Sequence, residues 1–266
     1  MIIECHTHLS QFRHERHTFS QIPDSVPADM KRLAIGMVLV YPDTEPASKL
    51  PDLESTREVV SGRPQLGMLG TARIPTLQAA CVHRLEVLAG EGNIVGVRLY
   101  PGFETFYPND EQCQPISELC LRHNLPVVCH SGESMNESWR EKYNHPDEIA
   151  KVAERFPALK VIIAHFSQPN LAACRGAVLA CPNVHADISG LIHPEVVQRC
   201  GQEAILQNLE CVATRQAEKI LFGSDWPICD VEAHLRLVAG LPIPDKAKDL
   251  ILFQNAERVF GLRTAW

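Results

Sequence analysis

No stretch of this 266-residue sequence is apolar for long enough to cross a bilayer: runs such as Ile35–Tyr41 fall far short of the ~18 residues required. The start, Met1-Ile2-Ile3-Glu4, lacks both the basic residues and the long apolar segment of a secretory leader, so a cytoplasmic protein without a membrane partner is expected. Lysine and arginine nowhere cluster, and 25 of them against 32 Asp and Glu give a formal charge of −7. A general nucleic-acid binder needs concentrated cations for phosphates, so small molecules are the expected partners. No C-x-x-C occurs. The ten cysteines are scattered, and intervals such as Cys113 to Cys120 and Cys174 to Cys181 are too wide for a zinc knuckle. In a chain large enough to build its own core they read as reduced thiols, mostly small buried hydrophobes.

What is present is a globular composition, 45% hydrophobic and 21% charged, which excludes disorder as the dominant state. Short runs rich in Val, Ile and Leu recur along the whole length: Ile2–His6, Leu33–Tyr41, Leu66–Arg73, Ile94–Tyr100, Leu125–His130, Lys160–His165, Asn183–Ile188 and Lys219–Asp225. Near-continuous apolar runs suit strands buried on both faces. Helical patterns lie between them, such as Leu77, Ala80, Cys81 and Leu85 with Thr76 as a cap, and the helix start Pro146-Asp147-Glu148. At roughly 30 residues per βα unit, eight units occupy nearly the whole chain. The expectation is one domain over residues 1–266, a (β/α)8 barrel. An open doubly wound sheet ranks second, because it would carry a glycine-rich phosphate turn where this chain has His6-Thr7-His8.

Polar residues fall at the C-terminal ends of the expected strands, the active face of such a barrel. They are His6 and His8, Arg73, Arg98 and Tyr100, His130, His165 and Asp225. His6 and His8, two apart on an extended segment, point the same way and can grip one ion, and a carboxylate such as Asp225 completes a mixed N/O donor set. The same alternation turns Cys5 and Cys129 toward the helices and excludes them as ligands. His83, His123 and His234 fall in helical patterns and are expected at the surface. His14, His17, His145, His185 and His193 have no partner that the sequence assigns, although His145 would start a helix at the active face.

These segments resemble the amidohydrolase superfamily, in its branch of compact barrels. The residues that carry the likeness are Ile3-Glu4-Cys5-His6-Thr7-His8, Val97-Arg98-Leu99-Tyr100-Pro101, Val128-Cys129-His130-Ser131-Gly132, Val161-Ile162-Ile163-Ala164-His165, Ile220-Leu221-Phe222-Gly223-Ser224-Asp225-Trp226-Pro227 and the closing Asn255-Ala256-Glu257-Arg258-Val259-Phe260-Gly261-Leu262. The resemblance implies one divalent ion, usually zinc with manganese or iron as alternatives, held by His6, His8, His130 and Asp225, with His165 in a catalytic role. Binuclear relatives bridge two metals through a Lys or Glu of the fourth strand. Arg98 stands in that stretch here and cannot form a carbamate, which favours one ion unless Glu104 or Glu133 recruits a second.

The implied chemistry is hydrolysis of an amide, lactone or ester by metal-activated water, with Asp225 accepting a proton and His165 orienting the carbonyl. Arg73, Arg98 and Tyr100 would hold an anionic part of the substrate. The alternative is a lyase of the same family that removes CO2 from an unsaturated or aromatic carboxylate. A phosphoesterase or DNase-like barrel is less favoured because the chain is acidic, and an inactive binding barrel is disfavoured by the full ligand set.

Overall fold

The computed structural model describes residues 1–9, 32–44, 51–133 and 138–262. His14 and His17 lie outside them. Among the described residues nine short parallel strand segments run in chain order: β1 (Ile2–Thr7), β2 (Ile35–Val40), β3 (Leu66–Met68), β4 (Gly70–Thr71), β5 (Val97–Leu99), β6 (Val127–Cys129), β7 (Val161–Ile163), β8 (Val184–Asp187) and β9 (Ile220–Leu221). They answer to the eight expected strands, the third being interrupted at Leu69. Across that break Leu69 N donates to Val40 O and Gly70 N to Gly96 O, so pairing passes from β2 to β5 without a free edge. Beyond β9, Cys5 N donates to Phe222 O at 3.0 Å and Thr7 bridges Trp226. The sheet therefore closes on itself as a distorted (β/α)8 barrel.

Two apolar clusters follow from strand alternation. One lies between strands and helices and joins Val97, Leu99, Cys129, Val161, Ile163 and Val184 to Ile116, Ile149 and Val152 of the surrounding helices. The other fills the barrel with Leu39, Leu69, Val128, Ile162 and Leu221, and is sealed by Ala256, Val259 and Phe260 of the last helix. Cys129 packs on the helix side as expected. Cys5 instead belongs to the inner cluster, because register shifts in β1 on either side of Ile3–Glu4 break strict alternation.

The helix Pro146–Arg155 begins as the sequence predicts, with Asp147 and Glu148 in its first turn and Ile149, Val152 and Ala153 buried on one face. Its cap is His145, whose ring accepts from Asp147 N at 3.3 Å, so that histidine serves the helix. The helix expected to start at Thr76 starts later, at Ala79, because Ile74–Thr76 forms a 3-10 turn of its own. His234, expected at the surface, is fully buried with its Nδ1 against Asp230 O. No helix among the described residues is long and apolar enough to cross a membrane.

His185 of β8 is 4% exposed, and its register places it on the face shared by Ile162, Val128 and Arg98. Burial, helped by Arg258, Lys219 and Lys160, lowers it from 6.5 to about 3. Its ring stays neutral in the folded state but takes up a proton on unfolding, so it withdraws stability as pH falls from 6.5 toward 3. His185→Gln should reduce the loss of unfolding free energy between pH 7 and pH 5 by about 2 kcal/mol. Urea titrations at the two pH values measure it, and an unchanged difference would reject this assignment.

Candidate functional site

Barrel closure brings the polar strand ends together. Asp225 N donates to His6 O at 2.9 Å, and His8 N donates to Trp226 O at 2.8 Å, so His6, His8 and Asp225 sit on two neighbouring, hydrogen-bonded segments. His8 Nε2 lies 3.4 Å and His6 Nε2 3.7 Å from Asp225 Oδ1. That carboxylate oxygen is buried and accepts no hydrogen bond. A buried acceptor left bare costs about 1–3 kcal/mol, more when it is charged. Two imidazole nitrogens facing one bare carboxylate oxygen form a donor set that fits a divalent transition ion. Burial alone would oppose the charge on Asp225, but the His8, His165 and His6 rings hold its carboxyl well below the usual range.

The far sides of both rings are anchored. His8 Nδ1 is 3.2 Å from Tyr41 O, and His6 Nδ1 is 2.9 Å from Asp187 Oδ2, which leaves each Nε2 as the nitrogen that faces the cluster. His6 is also stacked on Tyr41, with ring centroids 4.3 Å apart. Asp187, at the end of β8, was not singled out in the sequence. Its Oδ1 accepts from His165 N at 2.9 Å, Ser189 N at 3.1 Å and the Ser189 hydroxyl, which also lies 2.8 Å from His165 Nδ1. Burial works against this charge too, yet the His6 ring, His165 and Ser189 outweigh it and hold the carboxyl well below its ordinary value. Burial itself lowers His6 to about 3 and moves His130 and His165 below 6.5. All three rings are thus neutral near pH 7.

His165 stands in left-handed backbone, φ 58°, as do Phe166, Ser167 and Asp225. Each such non-glycine residue costs of order 1 kcal/mol or more, and such strain gathers where side chains must be aimed. Gly190, φ 71°, passes close above both: a Cβ there would lie 3.7 Å from His165 Nδ1 and 4.0 Å from Asp225 Oδ2. A cavity of about 280 Å3 opens over them, lined on its polar side by His130, His165, His193, Glu133 and Asp225. Phe103, Val196, Ile228 and Cys229 form its apolar wall. His193 had no partner assignable from sequence and proves to border this cavity.

The other expected site residues have different surroundings. His130 stands apart from the His6–His8–Asp225 group: its Nδ1 is 3.1 Å from Arg98 Nη2, and its Nε2 is 3.3 Å from Glu133 O. Arg98 is 1% exposed, with Nη1 only 2.7 Å from His6 Nε2 and its Cζ 4.8 Å from the ring centroids of both Tyr41 and Tyr100. Tyr100 donates its hydroxyl proton to Pro42 O. Arg98 and Tyr100 lie beneath the cavity rather than in its lining, and Arg73 is exposed at the start of the 3-10 turn. Glu104 accepts from Thr44 Oγ1 and Ile74 N, and Glu133 pairs with Arg199 at 2.6 Å; both hold loops together.

The sequence profile of the amidohydrolase family matches residues 3–262. The chain belongs to that family. Among curated proteins, an L-fucono-1,5-lactonase of Burkholderia ambifaria is 28% identical over 133 residues, a match spanning 44% of this chain and 44% of that relative's length. Among solved structures, an uncharacterised TIM-barrel protein of Bordetella bronchiseptica is similar at TM-score 0.75 and 17% identity, with 98% of each chain covered. The 5-carboxyvanillate decarboxylase of Sphingomonas paucimobilis is similar at TM-score 0.65 and 16% identity, with 98% of this chain and 99% of that one covered. As a member of this family the chain has, beneath the cavity, a buried His/His/Asp cluster suited to a divalent metal ion.

Asp187→Asn keeps the side-chain shape but weakens its hold on His6 Nδ1. Loss of such a partner behind a ligand lowers metal affinity about 10–100-fold. Competition with a chelator for Zn2+, alongside circular dichroism to verify folding, measures it. Undiminished affinity in a folded variant would show that Asp187 does not support a ligand.

Proposed function

We propose that this amidohydrolase removes CO2 non-oxidatively from a small unsaturated or aromatic carboxylate, the alternative reaction raised by the sequence, with hydrolysis of a lactone or related bond as the second reading. The observation that carries it is Arg98: a fully buried guanidinium with no carboxylate in ion-pair distance among the described residues. Close to it lie the carboxylates of Asp187 and Asp225 and neutral imidazoles, while Glu4, raised to about 7 by burial, adds only a fraction of a charge. With a divalent ion the sum is positive, between zero and one charge, which a carboxylate substrate offsets and a neutral lactone does not. The likeness to a decarboxylase of the same fold supports this reading, and the lactonase relative is what favours the second.

In this reading His6, His8 and Asp225, joined by His130, hold one divalent ion, zinc in the first instance. Such an ion supplies a Lewis acid that stabilises negative charge developing on substrate oxygen. His165 borders the cavity with its Nδ1 committed to Ser189, so its Nε2 is the nitrogen left for substrate. The wall of Phe103, Val196 and Ile228 takes the apolar part of the molecule. As the C–C bond to the carboxylate breaks and CO2 leaves, a proton takes its place on carbon, delivered on the side where His165 and Asp225 stand. In the hydrolytic reading the same pair takes a proton from water and returns it to the leaving oxygen or nitrogen. A single domain and a cytoplasmic setting are part of the proposal, with Arg98 and Tyr100 shaping the charge under the substrate and Arg73 outside the site.

Protein purified without chelators should carry about one transition ion per chain by elemental analysis; two per chain would contradict the single-ion reading. A panel of hydroxylated aromatic carboxylates assayed in D2O should yield CO2 and one deuteron on the carbon that loses it. Ring-opened acid from a lactone panel, with no CO2 from any carboxylate, would replace decarboxylation by hydrolysis. Asp225→Asn should lower kcat by about 10²–10⁴-fold with the fold intact. Near-native turnover would assign proton transfer to another group.

A further inference from the structure

Arg98 has an arrangement that neither a substrate ligand nor a structural ion pair explains. It does not line the cavity, and it faces no carboxylate among the described residues. Its two terminal nitrogens are directed instead at nitrogen atoms of two histidines, Nη1 at His6 Nε2 and Nη2 at His130 Nδ1. Each of those atoms must be an acceptor, since a guanidinium offers only donors. The partners on the far sides of the rings agree: His6 Nδ1–H donates to Asp187, and His130 Nε2–H points to Glu133 O. An imidazole nitrogen has one in-plane lone pair, which serves a hydrogen bond or a metal ion but not both.

We infer that Arg98 is a placeholder for the ion: in the metal-free protein its planar fork occupies lone pairs of His6 and His130, and it withdraws when the ion enters. The inference rests on the proposal that His6 is a metal ligand. Without the ion, Asp187 and Asp225 leave an excess of negative charge among neutral rings, and the guanidinium supplies the balancing cation at the nitrogen the ion would take. With the ion bound, a second cation on the same lone pair is excluded sterically and electrostatically. The surroundings permit movement, because Arg98 Nε has no hydrogen-bond partner and the group is stacked between Tyr41 and Tyr100 with no ion pair to break. The placeholder keeps both rings in the tautomer and orientation that ligation requires. It also weakens binding, since the ion must displace it.

The test uses the full-length protein freed of metal by dialysis against chelator and titrated with Zn2+ in competition with a fluorescent indicator. Arg98→Met keeps much of the stem and removes the donors and the charge, so its Kd for Zn2+ should be lower than that of the wild type by about tenfold or more. Arg98→Lys, which keeps the charge but cannot span two rings, should fall between them. Equal or weaker binding by the Met variant would overturn the inference. A second readout on the wild type does not depend on any variant folding. In 15N spectra, Zn2+ should move His6 Nε2 to a metal-bound shift and, in step, remove the hydrogen-bonded character of the Arg98 Nη protons. If His6 shifts while the Arg98 protons stay protected, the placeholder is wrong and the ligand assignment stands. If Zn2+ leaves His6 Nε2 unmoved, the ligand assignment falls and the placeholder with it.

Discussion

The seam where the first strand meets the segment after the last is the interaction on which everything else rests. Two backbone hydrogen bonds, Asp225 N to His6 O and His8 N to Trp226 O, close the barrel and at the same time set the three convergent side chains against one another. Glu4 stitches the same seam, accepting from His6 N at 3.1 Å and Ser224 N at 2.8 Å. Burial raises it to about 7 although both contacts favour its charge, so it sits close to balance between the two forms. Geometry that is merely structural in most barrels is therefore inseparable from the chemistry here. A shift of one residue in the register of this seam would turn His6 and His8 away from Asp225.

Around that seam the interior is organised by scarcity of charge. Buried, stacked and hydrogen-bonded rings stay neutral: burial, with Arg98 and His165 against the opposing pull of Asp187, lowers His6 to about 3. Two carboxylates remain ionised only because imidazole and hydroxyl donors surround them. Arg98 completes the account as the one buried cation described at this end of the barrel. The carboxylate of Asp187 takes the His6 ring through one oxygen and the backbone N–H of His165 through the other, so a single side chain orients the first ring and pins the main chain of the second.

Much of this was legible in the sequence. Eight apolar runs at the βα interval gave the barrel, and the polar residues at their ends gave His6, His8, His165 and Asp225, because strand alternation and the active face of the fold are local properties of a sequence. Asp187 could have been found by the same count, since it stands next to the end of the run Asn183–Ile188 as Asp225 ends the eighth run. Tyr41 and Ser189 were hidden for a different reason: a stacked ring and a hydroxyl bridge are defined by residues far away in the chain. Arg98 was legible as a polar group at the rim but not in its contacts, because whether a strand-end guanidinium faces a cavity or a pair of imidazoles depends on neighbours distant in the chain. Cys5 went astray where irregular register in β1 defeated the period of two.

The seam also dictates when the site can come into being. Glu4 and Ser224 are 220 residues apart in the chain, and the helix that corks the barrel follows still later. During synthesis the first strand and its two histidines emerge long before any partner exists for them, and the ladder that holds them cannot form until the eighth repeat has left the ribosome. His6 and His8 alone make a poor grip for an ion, and Asp225, which completes it, is among the last side chains to appear. Maturation is accordingly ordered in time: chain first, closed barrel second, metal last.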